Sequence, residues 1–288
     1  MAERMLIATG IRINVEDIGA GKPIVLIHGW PVDHRMFEYQ LNQLPRGGYR
    51  CIAPDLRGFG ASDRPWTGYN YDTLADDLRS LLDLLDLNEV TLAGFSMGGA
   101  VAIRYLSRHG GARVSQLALL AAAAPCFTRR TGFDYGLDKA SVDDLIRQCY
   151  ADRPAMIAAF GQMLFHQPVS SPFQSWFESL CWAASGHATA LCAAELRDAD
   201  LRPDLAAIHI PTLILHSLHD QVCPFDLALA AQAGIKGAQL VQFDRGGHGF
   251  FYEERDRINR ELLRFLRQAA PEAQPAPEFP PTAGLGRA

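Results

Sequence analysis

The sequence predicts an α/β fold: a mostly parallel central sheet with helices on both faces and an inserted helical cap. Three observations lead there. Short apolar, β-branched runs alternate with helix-like segments in the first and last parts of the chain, the pattern of βαβ units. The alternation breaks after Pro125, and from there to about Leu205 only helical candidates and loops occur. Between one strand run and the helix after it stands Gly94-Phe95-Ser96-Met97-Gly98, a G-x-S-x-G turn.

In chain order, Leu6-Ile7-Ala8 and Ile11 to Val15 read as a strand pair with Thr9-Gly10 as its turn. Ile24-Val25-Leu26-Ile27 is a continuous apolar run, as a central parallel strand requires, and it ends in His28-Gly29-Trp30-Pro31. Helix-like sequence runs to Leu44. Tyr49 to Pro54 is the next strand, and Asp55 to Asp63 a turn-rich loop. Thr73 to Leu87 places Leu74, Leu78, Leu81, Leu82 and Leu85 on one helical face, with Asp76, Asp77, Arg79 and Asp83 largely on the other; that carboxylate run reads as a solvated face. Val90 to Phe95 and Val114 to Ala123 are buried strands, and the helix between them stops at Gly110-Gly111.

Helical candidates in the insertion are 143–150, 154–165, 173–184 and 187–197, rich in Phe, Trp, Met and Cys. Strands return at Pro211 to His216 and Gln239 to Phe243. A helix lies around 226–233, and a last one runs from about 254 to 268. The chain therefore divides into a core (1–124 and 206–269), a helical cap (125–205) and a Pro- and Ala-rich tail (270–288) expected to be disordered.

Composition narrows the function. Of the residues, 48% are hydrophobic and 20% charged, enough for a large core. A net charge of -5 leaves no electrostatic footprint for nucleic acid. No apolar run is long enough to span a bilayer, and the start lacks the apolar core of a signal peptide. The six cysteines are scattered without a C-x-x-C pair, which reads as reduced, buried thiols in a cytoplasmic protein. No spacing of His, Cys and carboxylates suggests a metal site, and no cofactor is expected.

The chemistry is carried by three residues. In a strand-to-helix turn as tight as Gly94 to Gly98, the serine hydroxyl stands clear of its neighbours at the N-terminus of a helix. A hydroxyl is a poor nucleophile unless an oriented base takes its proton. On such a sheet the partners follow in the order serine, acid, histidine. Asp220 lies just after the strand ending at His216, and His248 just after the strand ending at Phe243. His219 is on the wrong loop for a base, His216 reads as a core histidine, and Asp244 is only four residues before His248. The oxyanion hole needs two fixed N–H donors. Met97, directly after the serine, supplies one. Trp30 supplies the other, because Pro31 has no N–H. His28 reads as a structural hydrogen-bonding residue. Pocket candidates are Trp30, Phe95, Phe160, Met163, Phe165, Trp176 and Trp182.

These motifs resemble the cofactor-free haloperoxidase and aryl-esterase group of the α/β-hydrolases over about residues 5–268. The likeness rests on His28-Gly29-Trp30-Pro31, Asp55 to Ser62, Tyr71-Asp72-Thr73 with its helix, Gly94 to Gly99, and the Asp220 and His248 loops. It implies the α/β-hydrolase fold, the triad Ser96, Asp220 and His248, and backbone donors at Trp30 and Met97. It also implies an acyl-enzyme formed from a small or medium ester or lactone, open to attack by peroxide as well as water. A carbon–carbon bond hydrolase or enol-lactonase of aromatic catabolism, and a ligand receptor on this fold, are the alternatives. The chain departs from the group at Ser217-Leu218, where Gly-Asp is common, and at Cys223, where Val is common.

Overall fold

The computed structural model of the protein describes residues 3–268, so the tail expected at 270–288 lies outside the described residues. One sheet holds β1 (Glu3–Leu6), β2 (Arg12–Gly19), β3 (Lys22–Ile27), β4 (Tyr49–Pro54), β5 (Val90–Phe95), β6 (Val114–Leu120), β7 (Thr212–Ser217) and β8 (Gln239–Phe243). Their order is β1-β2-β4-β3-β5-β6-β7-β8. β2 pairs antiparallel with β1 and with β4, and every later pair is parallel. All residues of β5 and β7 are buried. Both lie inside a sheet covered on two faces, which is why their sequences run apolar without alternating.

The helices are α1 (Glu38–Leu41), α2 (Tyr71–Leu84), α3 (Met97–Arg108), α4 (Lys139–Ala151), α5 (Arg153–Leu164), α6 (Ser171–Trp182), α7 (Gly186–Asp198), α8 (Arg202–Leu205), α9 (Asp226–Gly234), α10 (Phe250–Glu253) and α11 (Arg255–Gln268). In the insertion, Asp152, Ser170 and Ser185 each accept a hydrogen bond from a backbone N–H of the first turn of α5, α6 and α7. A proline in the first turn of α5 and α6 costs nothing there, since its missing N–H would have had no helical acceptor. α4 packs on α7, and α5 on α6.

Three expectations need correction. The first strand starts at Glu3 rather than Leu6, and its turn spans Ile7 to Ile11, closed by Ile7 N–H donating to the Ile11 carbonyl at 3.0 Å. The helix expected up to Leu44 is broken into two 3-10 turns, His34–Phe37 and Pro45–Gly47, around the short α1; the second opens on Pro45, which lacks the N–H that would extend α1. Asp77 is not part of a solvated face. It is buried, forms a bidentate ion pair with the equally buried Arg57 at 2.5 and 2.6 Å, and accepts from Thr9 at 2.7 Å. Among the described residues no helix is long and apolar enough to cross a membrane.

Candidate active site

The site is built on the step from β5 to α3. Ser96 has φ +52°, a left-handed conformation that non-glycine residues rarely adopt. Its backbone is fixed from both sides: its N–H donates to the Leu120 carbonyl at 2.9 Å, and its carbonyl accepts from Ala123 N–H at 3.0 Å. A Cβ on Gly94 would sit 2.4 Å from the Gly98 carbonyl oxygen, and one on Gly98 would sit 2.2 Å from that of Ile27. Both collisions are with backbone, so both positions demand glycine. Met97 is the first residue of α3, where an N–H has no acceptor within the helix. The stretch before Trp30 passes against the serine, since a Cβ on Gly29 would lie 3.0 Å from Ser96 Cβ.

Asp220 and His248 come together from the loops after β7 and β8. His248 Nδ1 lies 2.7 Å from Asp220 Oδ2 with both side chains buried. The other carboxylate oxygen accepts from the N–H groups of Val222 and Cys223 at 2.9 and 2.7 Å. Burial pushes the Asp220 carboxyl up. The charge of His248 and the hydrogen bonds of His216 and His248 outweigh burial, and the group ends well below the usual carboxylate range. With Nδ1 engaged by the carboxylate, His248 presents Nε2, which is buried and has no hydrogen-bond partner. The imidazole packs against Phe95, the residue before the serine, with ring centroids 4.7 Å apart. The Ser96 hydroxyl lies 4.0 Å from the thiol of Cys223, whose titration burial pushes well up.

The competing residues have other partners. His216 Nε2 donates to the Cys223 carbonyl at 2.7 Å and lies 3.4 Å from Asp220 Oδ2, which makes it a buried neighbour of the acid. His219 is exposed and stacks on His166 at 4.2 Å. Asp244 is exposed beside Arg257. His28 ties loops together, Nδ1 donating to the Gly29 carbonyl at 2.8 Å and Nε2 accepting from Leu56 N–H at 2.9 Å; burial lowers its pKa. Asp33, His34 and Asp55 form the one cluster among the described residues whose donor atoms would suit a metal. Its groups are already paired with one another and with Arg35, Asn14 and Ala61, an arrangement that holds loops in place.

A cavity of about 330 Å³ opens on Ser96. Of the pocket candidates, Trp30, Phe160 and Met163 line it. Four other candidates do not. Phe95 lies beneath the imidazole, and Phe165 packs on Phe173, Phe177 and Tyr252. Trp176 borders a separate groove with Glu16 and Arg35, and Trp182 is 49% exposed. Aromatic character alone drew attention to them, and nothing in it distinguishes a lining residue from one that packs helix on helix. The lining that sequence reading missed is mostly aliphatic: Leu137, Val142, Leu145, Met156, Leu196 and Val222, with Phe127. Ser141, Gln148 and Met163 are exposed at the mouth, between α4 and α5.

The family profile described as the alpha/beta hydrolase fold matches residues 22–255. An AB hydrolase superfamily protein of Bacillus subtilis is 51% identical over 255 residues, covering 88% of this chain and 95% of its own. An esterase from Exiguobacterium antarcticum superposes with a TM-score of 0.91 at 46% identity, over 93% of this chain and all (100%) of its own. A bromoperoxidase from Bacillus anthracis does so with a TM-score of 0.90 at 36% identity, over 93% and 100%.

Proposed function

Because the chain belongs to the α/β-hydrolase fold family, we propose that it is a serine hydrolase of small or medium neutral esters or lactones, with 125–205 as a cap over the site. The observation that carries this is the shared position of Ser96. It stands on the strained turn and opens on the apolar cavity, and the residue before it, Phe95, packs on the imidazole of the Asp220–His248 pair. Ser96 Oγ attacks the carbonyl carbon while His248 Nε2 takes its proton. The N–H groups of Met97 and Trp30 hold the oxyanion, and the leaving alcohol departs with the proton from His248. Water then reverses the sequence and frees the acid.

The cavity lining favours neutral over anionic substrates. Its fifteen residues include Ser96, Ser141 and Gln148 but no charged side chain. Products of aromatic ring cleavage are carboxylates, and a carboxylate buried there would lack a partner. That weighs against the carbon–carbon bond hydrolase and enol-lactonase readings. The intact Asp220–His248 pair weighs against a receptor.

Perhydrolysis is the proposed side activity, supported by the similarity to a bromoperoxidase. Peroxide attacks the acyl-enzyme in place of water, releasing a peracid that oxidises bromide. A panel of p-nitrophenyl esters tests the main reading, with sustained turnover expected; single turnover would indicate a receptor instead. Bromination with acetate, peroxide and bromide tests the side activity. It is expected with or without chelator in the parent and absent in Ser96→Ala.

A further inference from the structure

The glycines around His248 have a different cause from those around Ser96. None of Gly246, Gly247 and Gly249 has a positive φ, so the turn itself does not require them. A Cβ on Gly247 would lie 2.8 Å from the Leu164 carbonyl oxygen and 2.9 Å from His166 N. A Cβ on Gly249 would lie 2.3 Å from the ring of Phe165. What presses on the histidine loop is the end of α5 and the segment after it, which belong to the cap.

Hydrogen bonds join the same two segments. Gly249 N–H donates to the Leu164 carbonyl at 2.7 Å. Glu253, at the end of α10, spans the junction. Its Oε1 accepts from the N–H groups of His166 and Gln167 at 2.8 and 2.7 Å, and its Oε2 accepts from Gly247 N–H at 2.7 Å. One carboxylate thus holds two cap donors and the residue directly before His248. The neighbouring Glu254 accepts from Arg245 and Gly246 N–H, both at 3.0 Å, and its other oxygen faces Arg257 of α11 at 3.5 Å, so it makes no such bond to the cap.

We infer that Glu253 is a positioning residue for catalysis, which couples docking of the cap to the placement of His248. This rests on the hydrolase reading. Charge-assisted hydrogen bonds are short and strong, so a carboxylate accepting them from two segments fixes the separation of those segments. If the cap lifts at Leu164 to Gln167, Gly247 loses its acceptor or moves with it, and the imidazole moves too. His248 is then competent only with the cap seated over the substrate.

Glu253→Gln keeps the size of the side chain and removes one acceptor. Displacements of about 1 Å at a catalytic group cost up to about a hundredfold, so we expect kcat to fall about tenfold with KM within about twofold. The low-field proton resonance of the His248–Asp220 hydrogen bond should broaden. A residue that only stabilised the fold would leave that resonance unmoved. A folded variant with parental kcat and an unchanged resonance overturns the inference. If Glu253→Gln does not fold, Gly247→Ala, which pushes on Leu164 and His166 from the loop side, gives the same readouts. A parent that neither turns over esters nor is labelled at Ser96 by a fluorophosphonate would instead overturn the hydrolase reading.

Discussion

Two clusters of glycine flank the proposed catalytic centre, and they answer to different neighbours. At Gly94 and Gly98 a Cβ would strike backbone of the sheet and of α3, none of which can yield. At Gly247 and Gly249 it would strike the end of α5 and the segment after it, including the ring of Phe165. The first cluster makes the Ser96 turn part of the core. The second makes the histidine loop a docking surface. The same residue type therefore marks a rigid half and an adjustable half of one site.

The sharpest way to test the rigid half is Ser96→Ala. Ester turnover should fall on the order of a millionfold with the fold intact, because the turn accepts Ala and only binding and the oxyanion donors remain. Activity within about tenfold of the parent would remove Ser96 as nucleophile. On the other half, Asp220→Asn should lower kcat on the order of ten-thousandfold, since Asn cannot hold the His248 tautomer. The same variant bears on pH. The folded Asp220 carboxyl titrates below an unfolded one, so its stabilising contribution is present above about pH 4 and lost as pH falls toward its lower folded value. Thermal midpoints between pH 7 and 3 should therefore drop less in Asp220→Asn than in the parent.

Paired glycine substitutions address the comparison itself. Gly98→Ala should cost more than about 4 kcal/mol or abolish folding, because two carbonyl oxygens stand in the way. Gly249→Ala should cost about 1–3 kcal/mol, because the Phe165 ring can turn aside. Equal losses in urea unfolding would erase the distinction between the two halves. The smallest effect concerns the cavity: a neutral ester should be turned over about ten- to a hundredfold faster than a carboxylate-bearing ester of equal size, the penalty of an unpaired buried charge. Equal kcat/KM values would mean that the acid group stays in water at the mouth.

The rigid half was the legible one. β5, Ser96 and α3 are contiguous, and their glycines, apolar run and serine all lie within a dozen residues. Asp220 and His248 could be placed because each closely follows a strand. The lining was harder to read. It depends on which faces of α4, α5 and α7 turn toward Ser96, and α5 is apolar nearly all round, so its sequence gives no face. Glu253 was invisible for another reason: its partners are backbone N–H groups of residues 166, 167 and 247, which no side-chain pattern announces. Asp77 was misread because a buried ion pair with Arg57 leaves the same sequence trace as a solvated carboxylate.

The cysteines give a way to watch these regions move. All six are buried free thiols, and burial raises the pKa of each, to about 12 for Cys51 and about 11 for Cys126 and Cys149. Thiolate is the reactive form, so a folded molecule resists alkylation and each thiol reacts only when its own surroundings open. Cys51 reports on the sheet, Cys149, Cys181 and Cys192 on the helices α4, α6 and α7, and Cys223 on the Asp220 loop. The unmodified chain therefore carries its own set of chemical clocks. The order in which they run down, read by mass spectrometry, separates an opening of the proposed cap from an unfolding of the whole.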